Sequence, residues 1–180
     1  MKSLKTLTVL SIALLSEPVC GLQADDNKVR ISVPSVKGIL ELGVGETTWE
    51  AHVRADGKET QLQAMHRKDG IRITAFLQKV KFSTSPAKCR DKWWPMTAKS
   101  TPMKREDLRQ YEKDGMAIVE YMIPEFRGNI LHQKSVHAYL GGRGLCAEVH
   151  LSKDQYVDED GHLFDDILRG VRFLPDKTAP

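Results

Sequence analysis

Two imidazoles and a carboxylate recur at alternate positions late in the chain: His137 within Ser135-Val136-His137-Ala138-Tyr139, and Glu148 and His150 within Cys146-Ala147-Glu148-Val149-His150. A period of two is that of a strand, whose successive side chains point to opposite faces. Gly141-Gly142-Arg143-Gly144 separates the two segments and reads as a hairpin turn. With Gly141 opposite Gly144, Val136 faces Val149, Ala138 faces Ala147 and Leu140 faces Leu145, which makes one face apolar. The other face then carries Ser135, His137 and Tyr139 beside Cys146, Glu148 and His150. In that register His137 faces Glu148, and His150 lies two residues along. His137, Glu148 and His150 are the donor types of a zinc site that keeps one position open for water, and equally of an acid–base site. The plainer reading is a polar set that hydrogen-bonds within itself beneath a covering layer. His66 reads as a core or edge residue.

A second constellation is electrostatic. Between Lys79 and Arg105 stand eight cations (Lys79, Lys81, Lys88, Arg90, Lys92, Lys99, Lys104, Arg105) against the single acid Asp91, with Trp93-Trp94 in their midst. Indole rings beside ammonium and guanidinium groups suit an anionic ligand, because rings stack or insert while cations neutralise charge. The expected ligand contacts are Arg90, Lys92, Trp93, Trp94 and Lys99, with Tyr139 on the neighbouring sheet face. The competing reading is a solvated segment anchored by its indoles. Adjacent residues of a helix point about 100° apart, so at most one of the two Trp is expected to be fully buried.

The cysteines join these constellations. Lys2 and Lys5 precede an apolar stretch over residues 6–15, and Leu22-Gln23-Ala24 offers a cleavage site before Asp25. Residues 1–24 therefore read as a secretory signal. The stretch falls short of the roughly 20 apolar residues of a transmembrane helix, and Glu17-Pro18-Val19 before Cys20 does not resemble a lipidation signal. Loss of Cys20 with the leader leaves Cys89 and Cys146 in an oxidising compartment, periplasmic or extracellular, where thiols pair. A bond across that separation stabilises by about 4 kcal/mol in the chain-entropy account. It also pins the basic segment beside the face that bears His137 and Glu148.

The elements that must position these residues follow from periodicity. Residues 47–81 alternate and are broken by Asp56-Gly57 and Asp69-Gly70, so they read as a three-strand meander with two-residue turns. In that register Ala51 faces Leu62, Trp49 faces Ala64, Leu62 faces Leu77 and His66 faces Ile73. Trp49, Ala51, Val53, Leu62, Ala64, Ile71, Ile73, Ala75 and Leu77 then share one apolar face. A short helix is expected over residues 87–94, stopped by Pro95, and another from Pro102 to Lys113, ended by Gly115. Residues 116–123 read as an interior strand buried on both faces. The last helix is expected over residues 159–169, with Leu163, Phe164, Ile167 and Leu168 as its stripe and Gly170 as its cap.

At 180 residues, 41% hydrophobic and 28% charged, the chain has the composition of an ordinary globular domain, which excludes collagen, coiled coil and wholesale disorder. Residues 25–180 are expected to form a single α+β domain, an antiparallel sheet of meander and later hairpin covered by helices. The formal charge of +3 is too mild for a dedicated nucleic-acid binder. Gly-x-Ser-x-Gly, P-loop, His-Glu-x-x-His and Cys-x-x-Cys patterns are missing from the sequence, and the acidic stretch around Gly161 fails as an EF-hand loop. The order of elements, with Val136-His137-Ala138-Tyr139-Leu140, Glu148-Val149-His150-Leu151-Ser152 and Ile167-Leu168-Arg169-Gly170-Val171-Arg172-Phe173, resembles the PsbP-like α/β sandwich over roughly residues 29–174. The resemblance implies an accessory or binding role without a shared catalytic site. The resulting expectation is an exported, non-catalytic protein of the cell envelope that needs no cofactor. Its partner would be an envelope component, an anionic ligand or another protein. The alternative is a metal-dependent or acid–base enzyme using His137, Glu148 and His150.

Overall fold

The structure, a computed structural model, describes residues 22–25, 28–33, 38–43, 49–55, 58–66, 68–82 and 84–174. The side chains of Trp49, Ala51 and Val53, the Asp56-Gly57 turn and residues 1–21 lie outside the described residues. In place of the expected single covered sheet, the described residues form two antiparallel sheets and two α-helices. The smaller sheet holds β1 (Leu22–Asp25), β2 (Lys28–Ser32), β3 (Ile39–Gly43) and, from the far end of the chain, β11 (Arg172–Leu174), in the order β1-β2-β3-β11. The larger holds β4 (Trp49–Ala55), β5 (Glu59–His66), β6 (Arg72–Lys79), β7 (Arg109–Lys113), β8 (Met116–Phe126), β9 (Asn129–Gly142) and β10 (Leu145–Lys153), in the order β4-β5-β6-β10-β9-β8-β7. Pairing of β6 with β10 joins the meander to the later hairpin.

Alternation gives the large sheet two buried faces. Leu62, Ala64, Ile71, Ile73, Ala75 and Leu77, together with Val136, Ala138, Ala147 and Val149, pack against Val29, Ile31, Leu40 and Leu42 of the small sheet and against Phe164 and Leu168 of α2 (Gly161–Arg169). On the opposite face Ala117, Val119, Tyr121, Ile123, Tyr139 and Cys146 are covered by α1 (Pro86–Ser100) through Cys89, Trp93 and Trp94. β8 is thus buried on both faces and flanked by β7 and β9, as its apolar run requires. The small sheet is held across three strands by Glu41, which stands opposite both Arg30 and Arg172 and accepts from them at 2.8 and 2.6 Å.

All three expected hairpins form, each with a register two residues away from the one expected. Trp49 pairs with His66, Leu62 with Ala75, and His150 with His137. An even shift keeps every side chain on its face, so the apolar sets survive. The second hairpin closes through a four-residue loop, with the His66 N–H bonded to the Ile71 carbonyl at 2.8 Å and Gly70 at positive φ. The last turns at Arg143-Gly144, both with positive φ as a type I′ turn requires, which pairs Leu145 with Gly142.

Two expectations about helices are corrected. Residues 103–113 are not a helix: after a single 3₁₀ turn at Arg105–Asp107 they form β7, which turns at Asp114-Gly115 into β8. Both turn residues have positive φ, so the Asp-Gly pair makes a hairpin here, and the register supplied by β8 outweighs the weak helical spacing of Met103, Leu108 and Tyr111. Nor does α1 stop at Pro95. Proline removes one hydrogen bond in the helix, yet its ring lies on the exposed side, and burial of Trp93 and Trp94 before it and packing of Ala98 after it carry the helix on to Ser100.

Candidate functional site

α1 is held on the sheet at its N-terminal end. Ser85 caps it by accepting from the Lys88 N–H at 3.3 Å, and the helix backbone presses so closely on β9 that a Cβ added to Gly141 would lie 2.5 Å from the Ser85 carbonyl oxygen. Cys89 and Cys146 lie at disulfide distance there, with Cα atoms 5.6 Å apart, on the face that bears His137 and Glu148. The C-terminal half of α1 runs on past this anchor to Ser100. Between it and the sheet is a cavity of about 630 Å³, lined by Thr97, Ser100, Thr101 and Pro102 on the helix side and by Phe76, Tyr121, Gln133, His137, Glu148 and His150 on the sheet side. At its rim the β8–β9 ladder slips between Ile123 and Glu125, at Pro124, which has no N–H to offer, and Phe126 and Leu131 flank the opening.

A chain of hydrogen bonds forms the floor. The His137 ring stands directly across from His150 rather than Glu148, because the turn falls at Arg143-Gly144, while Glu148 pairs with Tyr139 and reaches His137 diagonally. A carboxylate accepts only, so His137 Nδ1 donates to Glu148 Oε1 at 2.6 Å, and His137 Nε2 accepts from the Tyr121 hydroxyl at 2.9 Å. The Tyr139 hydroxyl also donates to Glu148 Oε1, at 3.3 Å. Burial raises both phenols above their usual range, for Tyr139 with the Glu148 charge adding to it, so both stay protonated donors. The His150 imidazole is pushed down to about 3, chiefly by burial and then by the His137 ring beside it, so it is neutral. Its Nε2 and the Ser135 hydroxyl are buried without a hydrogen-bond partner.

The sequence candidates separate into three groups. His137, Glu148, His150 and Tyr139 do come together, with His137 and Tyr139 bonded to Glu148 and His150 stacked on His137: both His137 nitrogens are engaged, and among the described residues no three His, Cys, Asp or Glu side chains are placed to hold a metal ion. Trp93 and Trp94 both face the sheet and are buried to 8% and 7% exposure, so neither is fully enclosed and the expectation of at most one fully buried Trp holds. The 100° between them lets Trp93 meet Phe76 edge-on at 5.4 Å between ring centroids while Trp94 lies over Tyr121 and His137, each at 5.6 Å, so the pair straddles the contact line. Lys92 and Lys99 are exposed and Arg90 is bonded to Asp91 at 2.8 Å; none of the three lines the cavity. Sequence reasoning missed Tyr121 and the Thr97–Thr101 end of the helix. Tyr121 was legible only as one more residue of an apolar run, and its role depends on the β8–β9 register that brings it opposite Ser135 and diagonal to His137.

Comparison with family models, curated proteins and solved structures returned no match. No helix among the described residues is long and apolar enough to cross a membrane.

Proposed function

We propose that this chain is an exported, non-catalytic binding protein of the cell envelope that holds a small molecule in the cavity between α1 and the large sheet. The observation that carries the reading is the cavity itself. Its volume of about 630 Å³ falls within the roughly 300–1,000 Å³ of small-molecule sites, and its lining joins apolar and aromatic walls to a few fixed polar groups. The polar floor is prearranged by its own hydrogen bonds, which lowers the ordering cost of binding. Export is supported by the leader-like residues 1–24 and by the Cys89–Cys146 pair at disulfide distance. The accessory role agrees with the PsbP-like resemblance of the sequence.

The test uses a neutral fluorescent probe of apolar cavities, 1-N-phenylnaphthylamine. Saturable enhancement at one probe per chain, lost in Thr97→Trp while circular dichroism is unchanged, is the expected result. No saturable binding to the folded wild-type protein contradicts the reading.

One observation favours a second reading. Glu148, His137 and Tyr121 follow the order carboxylate, imidazole, hydroxyl, and Tyr121 lines the cavity, so the floor could relay a proton in an acid–base reaction. Its test is turnover by the wild-type protein that Tyr121→Phe abolishes without altering probe affinity.

A further inference from the structure

Resting on the binding reading above, the lining points to one ligand charge, and we infer that the cavity selects a small amphipathic cation, an ammonium or similar N–H donor on an apolar body, through the free oxygen of Glu148. The argument begins with charge. Among the described residues Glu148 is the one acidic side chain in the lining, and no lysine or arginine joins it. The carboxylate is used unevenly. Oε1 accepts from both His137 and Tyr139, whereas Oε2 has no hydrogen-bond partner and is not shut off from solvent, and the side chain keeps 18% exposure.

Four of the neighbouring groups already donate within the protein. The Tyr121 hydroxyl donates to His137, Thr101 Oγ1 donates to the Thr97 carbonyl at 2.8 Å, Ser100 Oγ donates to the same carbonyl at 3.2 Å, and the Gln133 amide donates to Asp154 at 2.7 Å. The three hydroxyls keep lone pairs that can accept, and Gln133 keeps its carbonyl oxygen together with one N–H. The lining thus offers several acceptors together with one free carboxylate oxygen, with the Phe76, Tyr121 and Phe126 rings in its wall and rim. A cation over such rings gains from their negative faces, while an anion would meet the Glu148 charge in a partly enclosed space. A buried acceptor left unpaired by the wrong ligand is costly, so the preference has both an attractive and a repulsive part.

Displacement of 1-N-phenylnaphthylamine from the intact protein by n-hexylammonium, n-hexanol and n-hexanoate tests this. The three share one apolar chain and differ in the head group. The expected result is that n-hexylammonium displaces the probe at a concentration about tenfold or more below n-hexanol, with n-hexanoate weaker than both. Glu148→Gln should abolish the advantage of n-hexylammonium over n-hexanol and over n-hexanoate, a change of ranking that a general loss of structure would not produce. Probe binding without charge preference, or a preference for n-hexanoate, overturns the inference and leaves the binding reading standing. Failure of the probe itself to bind overturns both. The wild-type ranking decides the question even if Glu148→Gln folds poorly.

Discussion

The His150 imidazole lies flat on the His137 imidazole, with ring centroids 4.0 Å apart and planes 7° from parallel. Burial at that contact sets the protonation state of His150. His137 is tied to Glu148 and Tyr121, whereas His150 Nε2 is buried without a partner, so His150 remains neutral.

This makes acid sensitivity the first prediction. The unfolded chain protonates His150 near 6.5, and the folded protein holds it down to about 3. Below about pH 6.5 the unfolded state takes up a proton that the folded state refuses, so this residue removes stability as pH falls through that window, by at most about 1.4 kcal/mol per pH unit. Urea midpoints between pH 7 and pH 4.5 should therefore fall less steeply in His150→Phe, which keeps a flat ring on His137 and cannot titrate. Parallel pH profiles for the two proteins would remove His150 as the source.

Cys89 and Cys146 are expected to be bonded in the exported protein. Loss of the bond in Cys89→Ala/Cys146→Ala should lower stability by about 4 kcal/mol in denaturant titrations, since the link spans a separation of 57 residues. It should also weaken probe binding, because the bond anchors the helix that roofs the cavity. Two free thiols in the native exported protein would contradict this.

Gly141 lies where α1 meets β9, and an added methyl group would push into the Ser85 backbone rather than into a movable side chain. Gly141→Ala should cost about 1–3 kcal/mol by overpacking. Gly142→Ala, one residue along in open space, serves as the control. Equal stability of the two variants would show that the close approach does not constrain the helix.

Processing before Asp25 would remove most of β1, whose Leu22, Gln23 and Ala24 pair with Ile31, Arg30 and Val29. β2 would then become the edge of the small sheet. Mass spectrometry of the exported protein should give an N-terminus at Asp25; a chain beginning before Leu22, or a lipid on Cys20, would contradict the expected cleavage.

What could be read from the sequence was what depends on parity and short-range chemistry. The period of two put Leu62, Ala64, Ile73, Ala75 and Leu77 on one face, and His137, Tyr139, Glu148 and His150 on a common face, and both assignments survive the two-residue register shifts because an even shift keeps parity. The registers themselves were not legible. They depend on which residues take positive φ, and a non-glycine such as Arg143 does so only because the strands on either side demand it. The β7–β8 hairpin was hidden although Asp114-Gly115 is the same turn signal read elsewhere, since the spacing of Met103, Leu108 and Tyr111 imitated a helix. Residues 28–43 gave no reading as strands, and nothing local shows that Arg172 returns to Glu41 across 131 positions of sequence. Tyr121, the last member of the floor, became visible only with the β8–β9 pairing.

The central claim is that the cavity between α1 and the sheet is where this protein meets its ligand. The most direct measurement is a ¹H–¹⁵N correlation spectrum of the uniformly labelled protein titrated with 1-N-phenylnaphthylamine. Saturable shifts concentrated in the amides of Thr97, Ser100, Thr101, Ser135 and Glu148 are the predicted result. Shifts concentrated instead on the outer side of α1, at Lys92 and Lys99, or none at all, would contradict it.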